Sequence, residues 1–375
     1  MTKSFNSLGL MSGTSGDGVD ASVINSDGKG SYKVLLNKYF QYTDDISHNI
    51  YKLKSKINTV EDIKKFNSEI SELERKITLF HSSAVSDCVK NNNFKIDLIG
   101  FHGQTILHSP KDKYSKQLGD ANLLSQQSNI EVVYNFRQND LLNGGEGAPL
   151  TPIFHQLICK KKNINLPACI LNIGGISNLT IINDFNENNL ISRDIGPGNC
   201  LINEWIRRNK KGNYDNGGDL ANLGKTDILI LNQALEDFEN ILGSKKHSFD
   251  VNDFEINFLR GLDLADGAST ITDFTSSIIA SNLLIELSKS NNKISKIILC
   301  GGGRKNKTLI KRIEKYSNKK ITFDTTDRYD VDGDFVESQA FAYLAIRSRL
   351  KLPISFPNTT GCKLPLTGGT LVKNF

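Results

Sequence analysis

Nine residues, Ser12-Gly13-Thr14-Ser15-Gly16-Asp17-Gly18-Val19-Asp20, bring three glycines, three hydroxyls and two carboxylates together. Glycines let backbone amides close on a phosphate, hydroxyls donate to its oxygens, and a carboxylate orients a hydrated metal ion. The same composition suits a plain hairpin turn, and local chemistry leaves both readings standing. A second turn of this character, Gly174-Gly175-Ile176-Ser177-Asn178, follows an apolar run. A third glycine cluster, Gly301-Gly302-Gly303, ends another. Two familiar nucleotide schemes are excluded. Gly224-Lys225-Thr226 resembles the end of a P-loop, but Gly218 lies one residue too far upstream and no strand precedes it. No Gly-x-Gly-x-x-Gly lies between a strand and a helix, which argues against a Rossmann site.

The elements that must position these turns are legible from periodicity. Ser7 to Ile24 reads as a hairpin around the first turn, and Tyr32 to Tyr42 as a third strand. Val60 to about Asn91 reads as a helix, with Ile63, Phe66, Ile70, Leu73, Ile77, Ala84, Val85 and Cys88 at three- and four-residue steps. Ile96 to Phe101 is a buried strand delivering His102-Gly103-Gln104-Thr105 at its end. A second cycle begins with strands Ala168 to Ile173 and Leu179 to Ile182. Leu190 to Ser192 then leads to Arg193-Asp194-Ile195-Gly196-Pro197-Gly198-Asn199, where Gly and Pro break the strand before a helix, Cys200 to Asn209. Helix Ile271 to Ser290, strand Lys296 to Cys300 and helix Phe335 to Leu350 complete it. Only the order of elements recurs, as two related α/β domains facing each other across a ligand cleft would produce.

Composition narrows the function classes. The 375 residues suit about two domains. No apolar run reaches the ~18 residues of a membrane span, and the first residues lack a signal peptide's basic and apolar regions, which points to the cytoplasm. Six cysteines, with no Cys-x-x-Cys pair, read as reduced thiols. A net charge of +5 is spread thinly, with no basic block interleaved with aromatics, so no nucleic-acid partner is expected.

Taken in order, the motifs resemble those of the anhydro-N-acetylmuramic acid kinases. They are Met11-Ser12-Gly13-Thr14-Ser15-x-Asp17-Gly18-Val19-Asp20, His102-Gly103-Gln104-Thr105, Gly119-Asp120-Ala121-Asn122, Asn135-Phe136-Arg137-x-x-Asp140 and Gly147-Ala148-Pro149-Leu150. They continue through Asn172-Ile173-Gly174-Gly175-Ile176-x-Asn178, Asp194-x-Gly196-Pro197-Gly198-Asn199, Tyr214-Asp215, Gly301-Gly302-Gly303 and Glu337-Ser338-Gln339-Ala340-Phe341-Ala342. The resemblance implies an α/β fold of the actin and sugar-kinase type, two ribonuclease-H-like lobes around a central cleft. Residues 1–135 would form the first lobe, with 351–375 returning to it, and 136–350 the second. It implies ATP and magnesium as cofactors, a homodimer, and phosphorylation of 1,6-anhydro-N-acetylmuramic acid at O6 while water opens the anhydro ring. Such enzymes recycle cell-wall sugars.

The resemblance also implies roles. Gly13, Thr14, Ser15, Gly16, Asp17, Gly18, Val19 and Asp20 would hold phosphates from one lobe, and Asn172, Gly174, Gly175 and Asn178 from the other. Gly301, Gly302 and Gly303 would let adenosine pass close to the backbone. Asp17 would orient magnesium through water, with Asp20 as helper or as hairpin cap. Asp194 is implied as the general base, its alternative being a helix cap, a part that Asn199 fits better. Glu337 is implied to contact the sugar, although the dipole of its helix also favours a carboxylate there. Arg137 and Asp140 join the sugar set. Arg137 suits the lactyl carboxylate bidentately, or else pairs with Asp140. His102, without a second ligand at metal spacing, reads as a hydrogen-bonded structural residue. Two positions depart from the family pattern: Ile195 stands for a usual Thr and Glu146 for a more common Gln. A sugar- or nucleotide-binding sensor without turnover, and a kinase of an ordinary hexose, are the competing readings.

Overall fold

β1 (Phe5–Ser12) is buried along nearly its whole length, and the first unit is laid around it. The computed structural model describes residues 3–90, 92–242, 248–249, 251–289, 294, 296–318 and 321–375. β2 (Gly18–Ser26) pairs antiparallel with β1, and β3 (Tyr32–Gln41) antiparallel with β2. On the other side β4 (Leu98–Ser109) runs parallel to β1 and β6 (Glu131–Tyr134) parallel to β4, while β5 (Tyr114–Leu118) folds back on β4. A short strand, Thr370–Val372, adds to the β6 edge.

The second unit repeats this plan. β7 (Ala168–Ile173) and β8 (Ile176–Ile182) form an antiparallel pair with β9 (Ile191–Pro197) beyond β8. β10 (Lys296–Cys300) is parallel to β7, and β11 (Thr322–Thr325) to β10. The sheet orders β3-β2-β1-β4-β6 and β9-β8-β7-β10-β11 are the same order, counted along the principal strands of each unit. Two α/β sheets of one plan are therefore present, as expected from the recurring order of elements, and the fold is of the ribonuclease-H-like type that the resemblance implies.

One face of β1 carries Leu8 and Leu10, which join Val19, Ala21, Ile99 and Phe101 in an apolar core. That core is closed by helices Asp44–Lys54 and Asn67–Lys90, through Ile46, Ile50 and Leu53 and through Ile70, Leu73 and Ile77. The opposite face presents Gly9 and Gly100, register partners across β1 and β4. Helix Val336–Arg349 crosses there at main-chain contact. A Cβ on Gly9 would lie 1.8 Å from the Ser338 carbonyl oxygen, and one on Gly100 would lie 2.2 Å from that of Phe341. Beside them Ser22 Oγ and Ser338 Oγ are 2.7 Å apart.

This packing moves the domain boundaries away from those expected. Unit 1 comprises residues 1–164, 185–191 and 334–375; unit 2 comprises 165–184 and 192–333. Helix Val336–Arg349 belongs with unit 1 because it seats on β1 and β4. The detour 185–191 belongs there because Arg347, 1% exposed, donates to both Glu187 carboxylate oxygens (2.9 and 2.7 Å). Individual elements shifted for local reasons. The helix predicted from Val60 divides at Phe66, where a capped helix, Val60–Lys65, ends before Asn67–Lys90; Asn91 lies outside the described residues. The helix expected from Ile271 starts at Leu264, capped by Asp263, and its expected last residue, Ser290, lies outside the described residues. β4 continues past Phe101, so the His102-Gly103-Gln104-Thr105 motif lies inside the strand rather than beyond it. β9 ends at Pro197, at the Gly-Pro break the sequence marks, and carries Asp194 within it.

Gly9→Ala is expected to lower unfolding free energy by about 1–3 kcal/mol or more through overpacking. Gly30→Ala, whose added Cβ would meet only a lysine tip at 4.0 Å, should change it by less than about 0.5 kcal/mol. Urea unfolding of the two variants checks the contrast, and equal midpoints would refute the packing argument.

Candidate active site

In unit 1 the turn after β1 is held from below through its carbonyls. Gln104 Nε2 donates to the Gly13 carbonyl at 3.0 Å, Lys54 Nζ to that of Thr14 at 3.0 Å and Tyr51 Oη to that of Ser15 at 2.5 Å. The Tyr42 amide donates to the Asp17 carbonyl at 2.9 Å. With the carbonyls so engaged, the Thr14 and Ser15 amides have no acceptor among the described residues. Thr14 and Asp17 are exposed, and Ser15 Oγ donates to Asp17 Oδ1 at 2.6 Å. Burial first, then the charges of Asp17 and Asp20, push the Tyr39 hydroxyl above its ordinary range, so both carboxylates act on one locality. This is the arrangement a phosphate and a hydrated cation require. Val19 departs from its expected part: it is fully buried in the apolar core, so only its main chain can face a ligand.

Arg137 lies elsewhere in unit 1, where Nη1 donates to the Gly147 carbonyl at 2.8 Å and Nη2 meets His102 Nε2 at 2.9 Å. A guanidinium only donates, so His102 accepts at Nε2 and its Nδ1 carries the proton, donated to the Gly103 carbonyl at 2.8 Å. Burial, then the Arg137 charge, hold His102 well below the usual histidine range, in keeping with this neutral form. Asp140 does not fit the sugar set. It is 2% exposed, and its oxygens accept from the Gly147 amide (2.7 Å) and Thr360 Oγ1 (2.7 Å). Asp140 thus anchors the loop that Arg137 also braces. Glu337, partly exposed, opens helix Val336–Arg349 one residue before Ser338.

In unit 2 three motifs meet through main-chain contacts. The amides of Gly198 and Cys200 donate to the Gly175 carbonyl (2.8 and 3.2 Å), and that of Asn199 to the Gly174 carbonyl (2.8 Å). The start of helix Cys200–Arg208 is therefore capped by the β7–β8 turn; the Asn199 side chain makes no capping bond, contrary to expectation. Gly301 and Gly303 pack onto the end of β7. A Cβ at Gly301 would lie 2.3 Å from Asn172 Oδ1, and one at Gly303 2.2 Å from Ile173 Cγ2. Of the three glycines expected to admit adenosine, these two are occupied by β7, and Gly302 alone is exposed and open. Asn178 Oδ1 is buried with no partner among the described residues.

Asp194 stands on β9, partly exposed, five residues before the helix-capping position. That spacing removes the cap alternative. The Phe249 amide donates to its Oδ2 at 2.8 Å; this partner lies 55 residues away in sequence and left no signal there. Ile195 is 1% exposed. Successive strand residues face opposite sides, so this departure from the family pattern is a core residue and not a lost neighbour of the Asp194 carboxylate. Gln104, Lys54, Tyr51 and Tyr42 had been given no role; only Gln104 had a signal, its place in the His-Gly-Gln-Thr motif. Both units are free of any cluster of three or more His, Cys, Asp or Glu able to cage a metal, among the described residues.

The chain is similar to known proteins over nearly its whole length. A family profile described as anhydro-N-acetylmuramic acid kinase matches residues 5–374. A protein of that description from Pelagibacter ubique (strain HTCC1062) is 53% identical, covering 100% of both chains. Another from Agrobacterium fabrum (strain C58 / ATCC 33970) is 35% identical over 98% of each. Among solved structures, a ROK family glucokinase from Streptomyces griseus in complex with glucose and AMPPNP aligns at 13% identity, with a TM-score of 0.39 over 91% of this chain and 99% of that one.

Gly198→Ala should destabilise the fold by about 1–3 kcal/mol, because its Cβ would fall 2.3 Å from the Gly174 carbonyl oxygen. Gly302→Ala meets nothing within 4 Å and should shift stability by less than about 0.5 kcal/mol. Thermal unfolding of both variants reads the difference directly.

Proposed function

The chain belongs to the anhydro-N-acetylmuramic acid kinase family, and from that premise we propose how its residues divide the family's reaction. The reaction is phosphorylation of 1,6-anhydro-N-acetylmuramic acid at O6 with hydrolytic opening of the anhydro ring, giving N-acetylmuramic acid 6-phosphate and ADP, a step of cell-wall sugar recycling. ATP is the phosphoryl donor. The observation that carries the assignment is in unit 2, where the strand bearing Asp194 leads into a helix start bonded to the Gly174–Gly175 turn, with Gly301 packed on the end of β7 that enters that turn.

Asp194 is the general base. Water is a poor nucleophile toward an acetal carbon, and a positioned carboxylate that takes its proton contributes about 10²–10⁴-fold. The Phe249 amide fixes that carboxylate. The water oxygen bonds to C1, the C1–O6 bond breaks, and the electron pair released on O6 attacks the γ-phosphorus as the bond to the β-phosphate oxygen breaks. One proton transfer to Asp194 thus serves both bond changes. Thr14 and Ser15 amides and hydroxyls receive phosphate oxygens in unit 1; the turn at Asn172 to Asn178, with Gly302, serves the nucleotide in unit 2. Arg137 binds the lactyl carboxylate and Glu337 a sugar hydroxyl.

The residues at the first turn fit magnesium. Asp17 is exposed and paired with the Ser15 hydroxyl, with Asp20 acting on the same locality, and magnesium takes hard oxygens, commonly one or two carboxylates with water and phosphates. When bound, it supplies positive charge against the phosphates. A cytoplasmic homodimer completes the proposal. Exposed Leu223, Ile228 and Leu229 give unit 2 apolar surface for self-association.

Asp194→Asn is expected to lower turnover at least about 100-fold with the KM for ATP little changed. Product mass spectrometry in heavy-oxygen water should find label at C1 together with phosphate at O6. Near-normal turnover would move the base elsewhere, and unlabelled sugar phosphate would disprove coupled ring opening. Light scattering should give twice the 41.6 kDa chain mass; a single chain mass would remove the dimer.

A further inference from the structure

His102-Gly103-Gln104 lies at an irregularity in β4. Leu10 pairs with Phe101 and Met11 with Gly103, so the register between β1 and β4 slips by one residue at His102. A bulge of this kind re-aims side chains and is common beside functional sites. Gly103 takes the left-handed backbone (φ 74°) that the bend requires.

The side chains flanking the bend are buried, His102 at 5% and Gln104 at 0% exposure, and they hold different groups. His102 Nε2 accepts from Arg137 Nη2, its ring packed against Phe341 with centroids 4.4 Å apart. Gln104 works in the other direction. Its Oε1 accepts from Ser12 Oγ at 2.7 Å, Ser12 Oγ accepts from Tyr42 Oη at 3.0 Å, and its Nε2 donates to the Gly13 carbonyl. The Gln104 carboxamide therefore bridges the last residue of β1 and the first of the turn.

We propose that the β4 bulge is a positioning device with two separable outputs, His102 setting the Arg137 guanidinium for the sugar's carboxylate and Gln104 setting the Ser12–Ser15 turn for the nucleotide phosphates. The inference rests on the roles given above to Arg137 and the first turn. Neither His102 nor Gln104 is a catalytic residue in it. His102 must remain an acceptor, which its neutral state provides. A general structural role would instead disturb both ligands alike, since both residues sit on one strand.

Steady-state kinetics with both substrates varied tests this. His102→Asn, too short to reach Arg137, should raise the KM for the anhydro sugar about tenfold or more and leave that for ATP within about twofold. His102→Gln, whose carboxamide oxygen can accept from Arg137, should restore most of the loss. Gln104→Asn should do the reverse, raising the KM for ATP and sparing that for the sugar. If Gln104→Asn does not fold, Gln104→Glu, of the same volume but without the donor to the Gly13 carbonyl, takes its place; if His102→Asn does not fold, His102→Leu, which has no acceptor for Arg137, takes its place. Equal rises in both KM values, or no rescue by His102→Gln, would overturn the positioning device. Arg137→Gln separates the two levels of argument. If it leaves the sugar KM unchanged, the role of Arg137 fails and takes the His102 branch with it; if it raises that KM and His102→Asn does not, the positioning alone is wrong.

Discussion

The close passage of helix Val336–Arg349 over Gly9 and Gly100 is the constraint on which unit 1 depends. Hydrogen-bonded strands lie about 5 Å apart, so two adjacent glycines remove side-chain bulk from one continuous patch of sheet. The helix descends until carbonyl oxygens occupy the space where Cβ atoms would be. Its own residues there are small, Ser338, Ala342 and Ala345, so apolar burial comes with main-chain proximity rather than with bulky interlock. Because β1 and β4 lie under this helix and run on into the turn and through the bulge, the packing that stabilises the sheet fixes where Ser12, Gly13, His102 and Gln104 stand.

Unit 2 uses the same physical device at a different place. Gly198 meets the Gly174 carbonyl and Gly301 meets the Asn172 side chain and Ile173 carbonyl at the end of β7, so loops distant in sequence approach as closely as a missing Cβ allows. Backbone is a precise support, because it has no rotamers to lose and its amides and carbonyls saturate one another. The helix after Asn199 is capped in this way by carbonyls of a turn, with no side chain involved. Both units thus put their functional turns at strand ends with the turn carbonyls engaged, by side chains in unit 1 and by main-chain amides in unit 2, and leave exposed groups such as Thr14, Asp17 and Gly302.

Much of this was legible in the chain. Short apolar runs mark β1, β7 and β10, and three- and four-residue steps mark the helix Asn67–Lys90. Failures had local causes. The helix expected from Val60 broke at Phe66 because a capping box at Thr59 and Asp62 starts a short helix of its own. The strand expected to end at Phe101 runs on to Ser109, since its polar and glycine-rich sequence reads as a turn although β1 and β5 pair with it. Asp140 enters the sugar set only through the Asn-Phe-Arg-x-x-Asp motif, whereas its burial and two hydrogen bonds, from the Gly147 amide and Thr360 Oγ1, have it brace its own loop.

The sequence by itself determined the chemistry on offer: the order of motifs, the α/β class with its repeated plan, and the residue types able to hold phosphate, carboxylate and proton. These are properties of composition and period, which survive without knowledge of partners. Only tertiary structure decided which of those residues face outward and which are consumed as support. Val19, Asp140, Gly301 and Gly303 went to support, whereas Asp194 acquired an amide partner 55 residues away. The reason is physical: burial and hydrogen-bond saturation are set by groups far apart along the chain, and no local pattern records them.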